Sequence, residues 1–127
     1  MNKNLIAVYG SLRQGFGNHR LLKDSKYLGS FNSKPEFNLY SLGGFPGLKT
    51  DGKTSVVMEV YEITDEVAKN VDNLEGYDPN RKSTFYDKIN IETPYGVAGV
   101  YIYVDHISEK RLIASGDWSN YKNELVY

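Results

Sequence analysis

Apolar residues along the 127-residue chain fall mostly into short runs of period two, interrupted once by a stripe of helical period. Residues 5–9, LIAVY, form the first run and stop at Gly10, as a buried strand does when it leads straight into a turn. The loop SLRQGFGN follows, with Asn18 placed to cap a helical turn over residues 19–23. KYLGSFNSK alternates through Tyr27 and Phe31 as a strand would. FNLYSLGGFPGL holds a short strand at residues 38–42, after which Gly43, Gly44, Pro46 and Gly47 predict sharp turns that bring the chain around Phe45 close to other backbone. The clearest strand signal is TSVVMEVYEIT, residues 54–64, rich in β-branched and aromatic side chains, with Glu59 facing opposite to Val60.

The period then changes. Thr64 or Asp65 caps a helix, and Asp65 and Glu66 put negative charge at its positive end. Val67, Val71 and Leu74 recur at i, i+4 and i+7 as one apolar stripe, while Lys69, Asp72 and Asn73 take the other side. Gly76 is a left-handed cap and Pro79 forbids continuation. Residues 84–93 and 97–104 flank the turn signal PYG and predict an antiparallel hairpin. SEKRLIAS has room for one or two helical turns before GDWSNYKNELVY closes the chain. With no repeat, linker or low-complexity segment, residues 1–127 read as a single domain large enough for its own core.

Composition narrows the function. Fifteen basic against sixteen acidic side chains leave a net charge of −1, so no electrostatic footprint points to nucleic acid or an anionic membrane. The absence of cysteine removes a disulfide framework, a thiolate nucleophile and any sulfur-based zinc site. The four-residue apolar run from Leu5 to Val8 is too short for a signal peptide or a membrane span, and the expectation is a cytoplasmic protein with no obligate protein partner. The eleven tyrosines are spread among aliphatic residues and read as packing.

Three features carry candidate chemistry. GSLRQGFG begins like a phosphate loop, but Phe16 and Gly17 stand where Lys and Ser or Thr would be required. What remains is either an ordinary turn or a set of consecutive backbone N–H groups suited to a carboxylate or developing oxyanion. His19 and His106 have no partner at ligand spacing, so no metal is expected, and Ser11 with His19 is not a recognisable nucleophile pair. Glu75 is different. At about 100° per residue it lies roughly 70° from the centre of the apolar stripe, at the margin of the buried face. It also occupies the last helical turn, where the macrodipole disfavours a carboxylate by roughly 0.3–1 kcal/mol. Both effects raise its proton affinity, which suits a general acid/base, although a solvated boundary glutamate fits the same position.

VYGSLRQGFGNHRLL at residues 8–22, FPGL at 45–48, VYEIT ahead of DNLEGYDP, and SGDW at 115–118 together resemble the gamma-glutamyl cyclotransferase-like family, most closely its gamma-glutamylamine cyclotransferase or AIG2-like branch. The resemblance spans nearly the whole chain and keeps the family's motif order. It implies an α+β domain, a small mixed, mostly antiparallel β-barrel flanked by short helices. It implies an enzyme that needs no cofactor and releases 5-oxoproline from a small γ-glutamyl substrate. In that reading Glu75 matches the catalytic glutamate, Tyr9, Gly10, Ser11 and Leu12 match the loop holding the glutamyl end, and Tyr86, in the segment that follows, is a further substrate-binding residue. Two departures stand out: Met58 where glycine is common, and Lys88 where Tyr-x-Arg is common, which exchanges a bidentate fork for a point charge. The alternatives are a cyclotransferase for γ-glutamyl dipeptides, or a small-molecule binding module that keeps the pocket without turnover.

Overall fold

The computed structural model describes residues 4–10, 12–42, 46–50, 52–75, 86–104 and 111–118, with the backbone alone at Glu75. Its strands are β1 (Asn4–Val8), β2 (Lys26–Asn32), β3 (Phe37–Ser41), β4 (Pro46–Thr50), β5 (Val57–Ile63), β6 (Tyr86–Thr93) and β7 (Gly96–Tyr103). A 3-10 helix, Gly17–Leu22, follows the first loop, and α1 (Asp65–Glu75) follows β5. Five strands form one sheet in the order β2-β5-β1-β7-β6, and β3 and β4 form a second. β1 and β7 run parallel, with Ile6 opposite Gly99, and the remaining ladders are antiparallel. The architecture is therefore α+β with a mixed, mostly antiparallel sheet, as expected.

Strand alternation divides the interior into two apolar layers. One face of the large sheet sends Ala7, Met58, Val60, Ala98 and Val100 against Leu39 and Leu48 of the small sheet, with Ile113 and Trp118 completing the layer. The opposite face sends Ile6, Val8, Tyr61, Ile63 and Tyr101 against Val71 of α1 and Leu22 of the 3-10 helix. A strand with both faces covered must be apolar on both, and this is why residues 5–8, LIAV, carry no polar side chain.

The barrel is not closed. β2 and β6 are the edges of the large sheet, and no ladder joins them among the described residues. The tip of the β6–β7 hairpin instead reaches across to β2, where the Tyr95 hydroxyl donates to the Ser30 carbonyl at 3.2 Å. The Tyr95 ring fills the space over Gly29, which has φ +146° and marks a register shift between Tyr27 and Gly29. The open edge leaves a slot of 280 Å³ lined in part by Phe31, Phe37 and Ile91.

Several local expectations change. Thr64 caps α1, its Oγ1 accepting from the Val67 N–H at 3.2 Å. Asn18 is not a cap, because the 3-10 helix begins one residue after Phe16 and has no side-chain cap. Residues 46–50 form strand β4, which the Gly and Pro signals obscured; proline is tolerated at the first position of a strand, where its missing N–H is not needed. Leu74 is 40% exposed despite its place in the apolar stripe. In SEKRLIAS the described part makes a bridge from Leu112 to Tyr40. Gly76 and Pro79 lie outside the described residues.

Candidate functional site

β1 delivers Tyr9 and Gly10 to the end of the sheet, and the Arg13 N–H closes a turn on the Gly10 carbonyl at 3.0 Å. Tyr9 is buried, and its hydroxyl donates to the Tyr101 carbonyl of β7 at 2.7 Å. Gly10 lies directly on Pro46 at the start of β4, where a Cβ would stand 2.6 Å from the proline Cγ, so this contact requires glycine. The Tyr86 hydroxyl reaches the Pro46 carbonyl at a long 3.5 Å, and its ring meets Tyr103 edge-on with centroids 5.4 Å apart. Tyr9, Gly10 and Tyr86 are thus brought together around Pro46 and the end of β7.

Leu12 goes elsewhere. Its side chain is 3% exposed, packed in the layer under α1, and its carbonyl oxygen lies 2.9 Å from His19 Nδ1. Its side chain is therefore taken up by the core. Ser11 lies outside the described residues, as does the Glu75 side chain. The Glu75 backbone closes α1 one turn beyond Val71, which is fully buried.

Asp72 departs from the expected polar side of that helix, which Lys69 and Asn73 keep. Its carboxylate accepts a short hydrogen bond from the Tyr101 hydroxyl and an ion pair from Lys88 Nζ at 3.5 Å. The Lys88 ammonium also sits 5.2 Å from the centroid of the Tyr101 ring. The inward face of α1 therefore comprises Val67, Ala68, Val71 and Asp72, rotated toward Asp72 from the stripe that hydrophobicity alone defines. Lys88 is engaged with the helix through this ion pair. Tyr101 joins the two halves of the site, its carbonyl holding Tyr9 and its hydroxyl holding Asp72.

A second cluster adjoins the turn. Arg13 Nε is 3.0 Å from Glu59 Oε2 and its Nη1 is 2.9 Å from Asp117 Oδ1. The other Glu59 oxygen accepts from the Gln14 N–H at 2.9 Å and from the Tyr61 hydroxyl at 2.8 Å. Arg13 and Glu59 are 9% and 7% exposed, and charges so buried persist only when paired and hydrogen-bonded, as here. Burial opposes the Arg13 cation, but hydrogen bonds and attraction from Asp117 and Glu59 outweigh it and hold its pKa above the ordinary value. Burial pushes the Tyr61 phenol upward, and the Glu59 hydrogen bond adds to the shift. Sequence reasoning singled out none of Arg13, Asp117 or Tyr101, and read Glu59 and Asp72 only for the face each takes. Arg13, Glu59, Asp72 and Asp117 all fall inside the stretches SLRQG, MEVY, DNLEG and SGDW.

Among the described residues no three His, Cys, Asp or Glu side chains converge to hold a metal, and no helix is long and apolar enough to cross a membrane. Known proteins are similar to this chain in sequence and in fold. A provisionally named gamma-glutamylcyclotransferase of Vibrio cholerae is 42% identical over 116 residues, covering 91% of this chain and 96% of its own. The gamma-L-glutamyl-butirosin B gamma-glutamyl cyclotransferase of Niallia circulans is 30% identical over 92% of this chain and 76% of its own. The crystal structure of PH0828 from Pyrococcus horikoshii superposes with a TM-score of 0.82 at 26% identity, covering 97% of this chain and 96% of that one. The model of the gamma-glutamyl cyclotransferase, AIG2-like family matches residues 6–120, and the chain belongs to that family.

Proposed function

We propose that this protein is a cofactor-independent cyclotransferase that converts a γ-glutamyl amide, a γ-glutamylamine in the first instance, into 5-oxoproline and a free amine. The observation that carries the reading is the Tyr9–Tyr101–Asp72 chain, which ties the glycine turn to the helix whose last residue is Glu75.

The substrate contains its own nucleophile. Its α-amine attacks the γ-carbonyl carbon, a C–N bond forms to close the five-membered lactam, and the C–N bond to the departing amine breaks. Intramolecular attack of this kind reaches effective molarities of about 10⁵–10⁸ M, so the protein's task is to fold the glutamyl chain into the reactive conformer. Glu75, ionised at the start, takes one proton from the α-ammonium and delivers it to the departing nitrogen, while the second proton that the α-nitrogen gives up as the lactam closes passes to solvent. Backbone N–H groups of residues 9–12 hold the α-carboxylate or the γ-carbonyl oxygen as it gains negative charge. Nothing in this sequence of bonds calls for a metal or a redox group. The Niallia circulans relative, named for a γ-glutamyl substrate, supports the same substrate class.

Purified protein incubated with γ-glutamyl-lysine isopeptide, other γ-glutamylamines and γ-glutamyl dipeptides is expected to release 5-oxoproline, detected by mass spectrometry. Glu75→Gln is expected to lower that release by at least ~10²-fold while retaining the wild-type circular dichroism spectrum. A folded Glu75→Gln protein with substantial turnover would remove Glu75 from the mechanism. Binding without turnover across the whole panel would favour a binding module.

A further inference from the structure

The buried ion cluster beside the glycine turn takes no part in the bond changes above, yet it holds that turn from two directions. Arg13 closes the turn, and both Arg13 and Gln14 are pinned by hydrogen bonds to distant segments. The Gln14 amide is fixed to Glu59 of β5, and the Arg13 guanidinium is fixed to both Glu59 and Asp117. The Arg13 amide simultaneously closes the turn on Gly10. One side chain therefore locks three segments: the turn, the interior strand β5 and the C-terminal stretch around Gly116 and Asp117.

A buried ion pair adds little stability over an apolar packing of the same volume, because desolvation offsets the attraction. What it adds here is direction. The planar guanidinium meets two carboxylates along fixed N–H vectors, and a lysine cannot make both contacts with one ammonium at the same angles. Donors that stabilise a developing oxyanion must be in place before the reaction, since reorienting them during it costs part of what they contribute.

We propose that Arg13 is a positioning residue, whose grip by Glu59 and Asp117 presets the backbone of residues 9–12 for the γ-glutamyl group. This rests on the cyclotransferase reading and adds to it that the C-terminal segment, through Asp117, governs the geometry of the substrate turn.

The test compares wild type with Arg13→Lys, Asp117→Asn and a core variant of matched stability, Leu39→Val, each assayed well below its melting temperature and normalised to folded protein. Arg13→Lys is expected to lower kcat/KM for 5-oxoproline release on the order of 10²-fold, carried mainly by kcat, the loss expected when a reacting group is misplaced by about 1 Å. Asp117→Asn, which keeps a hydrogen-bond acceptor, is expected to lose less, and Leu39→Val to keep the wild-type constants. Hydrogen exchange at the Gln14 amide is expected to quicken at least about tenfold in Arg13→Lys, a local opening that the core variant does not show. A folded Arg13→Lys protein with wild-type kcat/KM, or with unchanged exchange at Gln14, overturns the proposal and leaves the cyclotransferase reading intact. A wild type silent toward every γ-glutamyl compound overturns that reading instead.

Discussion

Tyr61 shows how one side chain responds to a buried neighbour. It is 1% exposed and donates to Glu59, so its phenol holds its proton more tightly in the folded chain than in the unfolded one. The folded pKa lies above the unfolded value of about 10, so this contribution to stability is fully present below pH ~10 and is lost as pH rises toward the folded value. Tyr61→Phe is therefore expected to be less stable at neutral pH by about 1.5–3 kcal/mol, the cost of a hydrogen bond to a charged group. It should also decline less steeply above pH 10 than wild type. Urea melts between pH 8 and 11 read both effects, and equal alkaline slopes would refute the assignment. Met58 is the counterpart on the other face of the same strand. It is fully buried in the layer containing Val60 and Trp118, opposite to Glu59, so its side chain belongs to the core and stands apart from the Arg13 cluster.

At the scale of elements, the open sheet depends on a contact that no strand ladder provides. The β6–β7 hairpin is latched to β2 by Tyr95 over Gly29, and a side chain at residue 29 would meet both a positive φ and the phenol ring. Gly29→Ala is expected to cost about 1–3 kcal/mol, from the sparsely populated backbone conformation and the displaced ring. Tyr95→Ala removes the collision but not the backbone strain, so the double variant should lose less than the sum of the two single losses. Additive losses in denaturant melts would show that the latch does not couple the two elements. Helix α1 illustrates the same dependence on neighbours: hydrophobicity pointed Leu74 inward, whereas the sheet beneath supplies Tyr101 and Lys88 and turns Asp72 toward them.

The whole molecule is joined by its C-terminal segment. The Ile113 N–H donates to the Leu39 carbonyl at 2.7 Å, and the Val57 N–H donates to the Gly116 carbonyl at 2.9 Å, so residues 113–116 span the small and large sheets. Trp118 follows and is fully buried between them. Trp118→Ala is expected to destabilise by about 3–5 kcal/mol, because a large cavity would open where the two sheets meet. Both sheets should still unfold in one transition, seen as coincident far-ultraviolet and tyrosine-fluorescence melts. A loss below about 1 kcal/mol would mean that this residue does not join the layers.

The amino-acid sequence by itself determined the strands at the start and middle of the chain, the helix with a cap at Thr64 or Asp65, the hairpin after it, and the motifs that mark the family. Period-two burial, capping and turn chemistry act between residues close along the chain, so they leave a local pattern. Strand β4 was hidden because its first residues are also turn residues, and its pairing with β3 is what makes them a strand. The tertiary structure alone decided which charges are buried. Arg13 and Glu59 are 46 residues apart, Arg13 and Asp117 are 104 apart, and Asp72 and Tyr101 are 29 apart. Electrostatic and hydrogen-bond energies depend on distance in space and on exclusion of water, and neither quantity exists until the sheet brings these segments together.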